Sequence, residues 1–434
     1  MNNQTFLPPF IFIIGLGKSG LAVASFCQKM SIPAAIYDDN PKQASKILQE
    51  NNLHFDLLPE HLISTLPRSM WAVVAPGIKP THSVLKTLHS QKIPVISEIE
   101  LGLRYAQEKS PNLIAITGTN GKTTVTQLVT QIFNDADISA RSVGNIGIPF
   151  VEALLDPWPE WFVIELSSFQ LENTFTPLFS VATWLNISPD HLDWHLSWDS
   201  YFKAKQKICT LLKPDAPCFC HESIPLTGKG IFSYGEGKGC FVQLEKNTIF
   251  FNKKAQGTIP PTLTASHDRE NYLAAWSVAH TIGIDTPSIN QSITTFTKPD
   301  HRIQFVAEKN GIQYWDDSKG TNIEASLAAI DAVPGPIVLI AGGVHKGSPY
   351  TPWKKFQDKI IAIVAIGEAK EKIAQDVNDS ITVLFAGSLQ QAIHKASLHT
   401  PHSVLLSPGC SSFDMFSNYK ERGRVFQECV NSLA

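Results

Sequence analysis

A surplus of basic residues is missing: 36 Lys and Arg stand against 39 Asp and Glu, for a net charge of -3. General nucleic-acid binding wants a strongly basic face, so that class of partner is not expected. Long apolar runs are missing too, since no segment approaches the ~18 uninterrupted apolar residues of a membrane span. The apolar stretch "PFIFIIGLG" has no basic segment before it and runs straight into a glycine-rich turn, unlike a secretory leader. A cytoplasmic location with no membrane partner is the expectation. Paired cysteines are scarce: Cys27, Cys209, Cys218, Cys220, Cys240, Cys410 and Cys429 are an odd set without framework spacing. Cys218 and Cys220 form a lone C-x-C with no second pair to complete a zinc site, so reduced, buried thiols are expected. No G-x-S-x-G elbow accompanies the serines after Cys410, and His191 and His195 lack the Glu of H-E-x-x-H. There is no internal repeat and no low-complexity tract.

What is present describes a soluble α/β protein. Hydrophobic residues at 43% and charged residues at 17% suit a globular chain, and 434 residues suggest roughly three domains. Three blocks separate by pattern, at 1–100, 101–299 and 300–434. In the first, the short apolar strands "FIFII", "AAIYDD", "WAVVAPG" and "IPVIS" alternate with helical stretches, the signature of an open parallel, Rossmann-like sheet. The second opens with the strand "NLIAIT", a glycine-rich turn and a helix whose Val125, Leu128, Val129, Ile132 and Phe133 recur on one face. Strands "WFVIEL" and "SVATWLNIS" follow, and residues 213–261 read as short strands and loops. In the third block "IQYWDDS", "PIVLIAGG", "IIAIVAIG", "ITVLFAG" and "SVLLSPG" alternate with helix-like segments, predicting a doubly wound sheet.

The turn "TGTNGKTT" sits between a strand and a helix start, where free backbone N–H groups and the helix dipole favour an anion. It departs from G-x-x-x-x-G-K-[ST] only at Ile116, which stands at the first glycine position. Gly118 and Gly121 let the backbone approach phosphate oxygens, Lys122 can reach the β- and γ-phosphates, and the Thr123 hydroxyl can ligate Mg2+. A second turn, "GLGKSG", places Gly15, Gly17 and Gly20 in a G-x-G-x-x-G pattern, with Asp38 at a distance suited to a ribose hydroxyl. By itself it is compatible with NAD, with another nucleotide, or with a turn that needs glycines only for packing.

Other motifs leave alternatives open. Glu165 closes the strand "WFVIEL", as a Mg2+ ligand or as an ordinary strand-end acid. "SPDHLDWH" supplies Asp190, His191, Asp193 and His195, as metal-site groups or as caps of the next helix. Lys203, Lys205 and Lys207 read as a solvated helix face, with nothing to single one out. In the third block the loops "DDSKGTN", "GGVHKG" and "SPGCSSFD" follow strands and carry lysines and hydroxyls. Gathered at one edge they suit a small carboxylate, and Thr321 or Asn322 is a ready helix cap.

Taken in order, "ITGTNGKTT", "NIG" at 145–147, "ELSSFQLE", "DHLDWH", "HDREN", "DHR", "DDSKGTN" and "LLSPGCSSFD" make the chain resemble the Mur ligases of peptidoglycan synthesis from end to end. The likeness is to the branch that adds D-glutamate. The resemblance implies three α/β domains: a Rossmann-like N-terminal domain for a UDP-sugar, a central P-loop ATPase-like domain and a C-terminal doubly wound domain for the amino acid. It implies that Gly15, Leu16, Gly17, Lys18, Ser19, Asp38, Ala75, Pro76, Gly77, Asn145 and His191 hold UDP-N-acetylmuramoyl-L-alanine. Gly118, Thr119, Asn120, Gly121, Lys122, Thr123, Thr124, Asn271, Arg302 and Asp317 would hold ATP. Two Mg2+ ions would rest on Thr123, Glu165, His191 and a carbamylated Lys205. Lys319, Thr321, Lys346, Ser412, Phe413 and Tyr419 match the D-glutamate pocket, with Lys122, Glu165, His191, Lys205 and Lys319 as the catalytic set. A monomer is expected. Asp268 departs from the Asn usual in the family pattern, and Asp39 and Asn40 replace a Thr-Arg pair near the uracil. A sister ligase adding another amino acid, or a folylpolyglutamate-type ligase, is the alternative, although the latter lacks a UDP-binding first block.

Overall fold

The computed structural model describes residues 7–433. The described residues form two compact units, residues 7–187 with 197–296, and residues 188–196 with 297–433. Among the described residues no helix is long and apolar enough to cross a membrane.

The first unit holds two sheets. One has five parallel strands, β1 (Ile11–Ile14), β2 (Ala34–Tyr37), β3 (Asp56–Leu57), β4 (Trp71–Val74) and β5 (Val95–Ile96), in the order β3-β2-β1-β4-β5. Strand β1 is buried along its whole length because helices cover both faces, which is why its sequence runs apolar without alternation. Ile11 and Ile13 join a core with Val23 and Phe26, while Phe12 and Ile14 face Ala72, Leu85 and Leu88 on the other side. The chain order reverses around β1, so the crevice beyond its carboxyl end is the switch point where such sheets take ligands.

The other sheet of the first unit has nine strands. They are β6 (Asn112–Thr117), β7 (Ala140–Gly144), β8 (Trp161–Glu165), β9 (Val181–Trp184), β10 (Cys218–His221), β11 (Ile231–Gly235), β12 (Val242–Glu245), β13 (Thr248–Phe251) and β14 (Lys254–Thr258). Their order is β14-β13-β12-β11-β10-β9-β6-β8-β7, parallel except for the meander from β12 to β14. Residues 213–261, which read only as short strands and loops, thus extend the central sheet by five strands. The helix Lys122–Asp135 buries Val125, Leu128, Val129, Ile132 and Phe133, the face its spacing predicts.

The second unit carries β15 (Gln304–Lys309), β16 (Ile312–Asp316), β17 (Ile337–Gly342), β18 (Ile360–Ile366), β19 (Val383–Phe385) and β20 (Ser403–Leu406), ordered β15-β16-β20-β17-β18-β19. The five strands legible in sequence are parallel. The unanticipated β15 is an antiparallel edge strand with a half-exposed, mixed pattern. Together the three sheets make an α/β protein with a Rossmann-like first sheet, a central phosphate-loop sheet and a doubly wound third sheet.

Candidate active site

Thr117 ends β6, and Gly118 to Gly121 turn the chain into the helix that starts at Lys122. Gly121 has φ +83°, and a Cβ there would meet Asn271 Oδ1 at 2.4 Å, so the helix Ser266–Thr281 sets Asn271 directly against the turn. Lys122 Nζ donates to the carbonyls of Gly118 and Thr119, both at 2.8 Å. The amides of Thr119 and Asn120 point at Asn186 Oδ1, at 3.0 and 2.9 Å, and Asn186 Nδ2 returns a bond to the Asn120 carbonyl at 3.1 Å. Asn186, just past β9, therefore braces the loop. Sequence reasoning missed it; its only signal was a polar residue at the end of "ATWLN". Thr123 and Thr124 occupy the first turn of the helix.

Lys205 corrects the sequence reading of a solvated lysine face. Tyr201, Ala204 and Lys205 recur at i, i+3 and i+4, and the helix Trp198–Gln206 lays that face inward, leaving Lys205 2% exposed. Its Nζ donates to the Gly118 carbonyl at 2.7 Å, so two lysines converge on one loop carbonyl. Tyr201 OH lies 2.9 Å from Thr119 Oγ1 on the same side of the loop. Lys203 stays exposed and Lys207 donates to the Glu172 carbonyl.

Glu165 stands at the end of β8, paired with Ile116 of β6 and with Gly144 of β7. It is buried; Oε1 accepts from Asn145 Nδ2 at 2.7 Å, while Oε2 has no hydrogen-bond partner. Buried carboxylate oxygens are seldom left so, and a hard divalent cation taking oxygen ligands fits this atom. The "NIG" turn thus places Asn145 against the candidate cation ligand.

The glycine turn of the first sheet is built differently. Gly15 has φ +85°, its turn abuts Ala75, and a Cβ on Gly20 would stand 1.9 Å from the Gly15 carbonyl, so those two glycines serve close packing. Gly17 has an ordinary φ of -71° and nothing within 4 Å of a Cβ, as has Gly77 on the neighbouring turn; both face open space. Asp38 accepts the Leu16 amide at 2.7 Å on one oxygen and the Asn40 amide at 2.8 Å on the other. The carboxylate ties the turn after β1 to the turn after β2. Lys18, beside Ser19 in the first turn of the next helix, donates to the Gly147 carbonyl, which links this turn to the "NIG" segment. Asn40 caps the helix Pro41–Glu50 and Asp39 accepts from Tyr37 and faces His82, so the pair that departs from the family pattern has local work.

In the second unit β16, β20 and β17 are parallel neighbours, and their carboxyl ends carry the three reactive loops. Val344 N donates to the Ser411 carbonyl at 2.9 Å, and Gly343, with φ +135°, allows the approach. Asp317 is buried and accepts from Ser407 Oγ at 2.7 Å. Burial pushes its carboxyl up to about 7; Asp316 adds to this, against Ser407 and the charge of Arg302. Lys319 Nζ lies 3.9 Å from the centre of the Tyr419 ring, a cation–π contact. Asn322, not Thr321, caps the helix Ile323–Ala332. Asp190 accepts from Lys346 Nζ at 3.1 Å and Asn322 Nδ2 at 3.2 Å. Burial raises the Asp190 carboxyl, but Lys346 and His191 outweigh it and hold it at about 2. Asp190, Asn322 and Lys346 line a small cavity with Ile323, Ser348, Tyr350 and Gly409. His191, at φ +55°, donates its amide to Asp190 and leads the short helix Leu192–His195 without capping it by its side chain. Ser412 is buried beside this loop while Phe413 is 73% exposed. A further residue escaped the sequence reading: Arg422, 1% exposed, donates to the Ser318 and Cys410 carbonyls and so clamps "DSKG" to "PGCSS". Burial lowers its guanidinium to about 10.

A phosphate loop in a parallel sheet, a buried carboxylate and lysine beside it, and a lysine- and hydroxyl-bearing edge on a third sheet define a nucleotide-dependent enzyme. Residues 116–279 match the Mur ligase middle domain, and residues 10–97 match the Mur ligase MurD-like N-terminal domain. The UDP-N-acetylmuramoylalanine–D-glutamate ligase of Protochlamydia amoebophila is 36% identical over 97% of each chain. That of Caldicellulosiruptor bescii is 36% identical over 98% of this chain and 97% of its own. Among solved structures, the UDP-N-acetylmuramate–alanine ligase of Thermotoga maritima superposes with TM-score 0.63 at 17% identity, covering 97% of this chain and 99% of its own. The MurF ligase of Thermotoga maritima in complex with ADP gives 0.60 at 14% identity over 100% of both chains. The chain belongs to the Mur ligase family.

Proposed function

We propose that this chain is the ATP-dependent ligase that joins D-glutamate to UDP-N-acetylmuramoyl-L-alanine in cytoplasmic peptidoglycan precursor synthesis, acting as a monomer. One observation carries the reading: the braced phosphate loop, the unmatched Glu165 oxygen and the buried Lys205 lie together at the carboxyl ends of β6 and β8. The activity of near-full-length relatives supplies the substrates.

In this reading the three domains divide near residues 100 and 300, one sheet to each. The first holds the UDP-sugar through Gly15 to Ser19, Asp38 and Ala75 to Gly77, with Asn145 and His191 contributing. Loop amides and Lys122 hold the ATP phosphates, with Asn271, Arg302 and Asp317 on the rest of the nucleotide. Mg2+, as two ions held by Thr123, Glu165, His191 and the carbamate of Lys205, would offset charge on the transferring phosphoryl group. The terminal carboxylate of the substrate attacks the γ-phosphorus, ADP leaves, and an acyl phosphate forms; this supplies the leaving group that a bare carboxylate lacks. Lys319, Thr321, Lys346, Ser412, Phe413 and Tyr419 orient D-glutamate. Its amine then attacks the acyl carbon, and the tetrahedral intermediate expels phosphate. The amine proton is assigned to no residue.

The test is phosphate release from ATP with UDP-N-acetylmuramoyl-L-alanine and amino acids supplied singly. Release with D-glutamate alone is expected. Turnover with L-alanine or a diamino acid, and none with D-glutamate, would overturn the assignment.

A further inference from the structure

Away from the phosphate loop, the fold gathers three sulfurs that lie apart in sequence. Cys218 and Cys220 stand on β10 two residues apart, so both side chains leave the same face of the strand; Phe219 between them packs into the opposite core. The 3-10 turn Lys207–Thr210 brings Cys209 onto that face. Cys209 Sγ is 3.2 Å from Cys218 Sγ, Cys218 Sγ is 3.8 Å from Cys220 Sγ, and all three lie within 4.8 Å of one another. With metal–sulfur bonds of about 2.3 Å, sulfurs around one ion stand about 3.8–4.0 Å apart, so no separation in the cluster needs to change by more than about 1 Å. All seven cysteines are free thiols, and no disulfide competes for these sulfurs.

We propose that Cys209, Cys218 and Cys220 form a three-sulfur site for one thiophilic d10 metal ion, Cu+ or Zn2+. The donor set selects the ion class, because three sulfurs suit soft or borderline cations and repel Mg2+ and Ca2+, which demand oxygen. The surroundings agree: Ile208, Leu211 and Ile224 share the core with Cys218 and Cys220, so no hard ligand competes from that side. Cys218 and Cys220 are buried, whereas Cys209 is partly exposed and offers the way in. Hydrogen bonds from Cys218 and Cys220 pull the Cys209 thiol below its ordinary value, while the bond to Cys209 pushes the other two up. An ion entering the site forms three metal–sulfur bonds, and the thiol protons it displaces go to solvent. Bound there, it would fasten the turn that ends the Lys205 helix onto β10.

The test uses the full-length chain, reduced with a non-thiol reductant and stripped of metal. In separate arms Zn2+, and Cu+ delivered from a chromogenic Cu+ chelator, are titrated while bound metal, released protons and thiol alkylation are followed. One equivalent per chain is expected in at least one arm, which identifies the ion. Proton release should accompany it, and Cys209, Cys218 and Cys220 should be shielded from alkylation. Cys209→Ser, at the partly exposed position, should weaken binding by at least about a hundredfold with its melting temperature kept. Cys240→Ser, a partly exposed thiol outside the cluster, should bind as the parent does. Failure of both ions to bind, metal uptake without shielding of the three thiols, or unchanged affinity in Cys209→Ser would each overturn the site.

Discussion

The first unit uses strand, glycine turn and helix twice, and the two turns differ in what surrounds them. At Gly15–Gly20 two glycines answer to packing, a carboxylate braces the turn, and Lys18 reaches to Gly147. At Gly118–Lys122 an amide side chain does the bracing, and two lysines meet at the Gly118 carbonyl beside a buried carboxylate. The backbone gives both turns the same taste for anions at a helix start. In the proposed reading, side chains from elsewhere in the fold decide whether a nucleotide would be merely carried or would lose a phosphoryl group.

Lysine substitutions separate the turns most strongly. Lys205→Ala should lower kcat by roughly a hundredfold or more, with partial recovery on adding short carboxylic acids that replace the carbamate. Normal turnover of that variant, read by phosphate release, would end the carbamate reading. Lys18→Ala should act on the other turn, raising KM for the UDP substrate by about tenfold while kcat changes little; a fall in kcat alone would erase the distinction.

Glycines give the next contrast. Gly121→Ala meets both a left-handed backbone and the Asn271 oxygen, so loss of activity and a lower melting temperature are expected together. Gly17→Ala meets neither, so its melting temperature should match the parent while UDP-substrate binding weakens by calorimetry. If binding is also unchanged, the open side of that turn is not where the ligand lies. The smallest effect should come from the braces. Asp38→Ala leaves the Leu16 and Asn40 amides without their acceptor and should cost about 1–3 kcal/mol in denaturant unfolding. Asn186→Ala should cost a similar amount but also raise KM for ATP, which Asp38→Ala should leave alone.

Much of this was legible along the chain because local patterns carry it. The helix face from Val125 to Phe133, the strands of the third sheet and both glycine turns follow from periodicity and from residues that tolerate special backbone angles. Strand β15 escaped because an edge strand with mixed exposure has no continuous apolar run, and β10–β14 were read only as short strands without bounds or a sheet because their segments carry little period of their own. Lys205 was misread for a related reason: a lysine on a helix looks solvated unless the face it shares with Tyr201 and Ala204 is known to point inward. Asn186 showed only as a polar residue at a strand end and Arg422 not at all, since each works by hydrogen bonds to a loop far away in the chain.

The order of motifs by itself determined the family, and single strand–turn–helix units determined the phosphate loop and the kind of sheet, because these are written in residues close together in the chain. Tertiary structure alone decided what meets each turn. Strand order set Glu165 beside Ile116, helix packing buried Lys205 on the Gly118 carbonyl, and a 3-10 turn carried Cys209 to Cys218 and Cys220. Such contacts join residues that no local period relates, and only the closing of a core brings them within bonding distance.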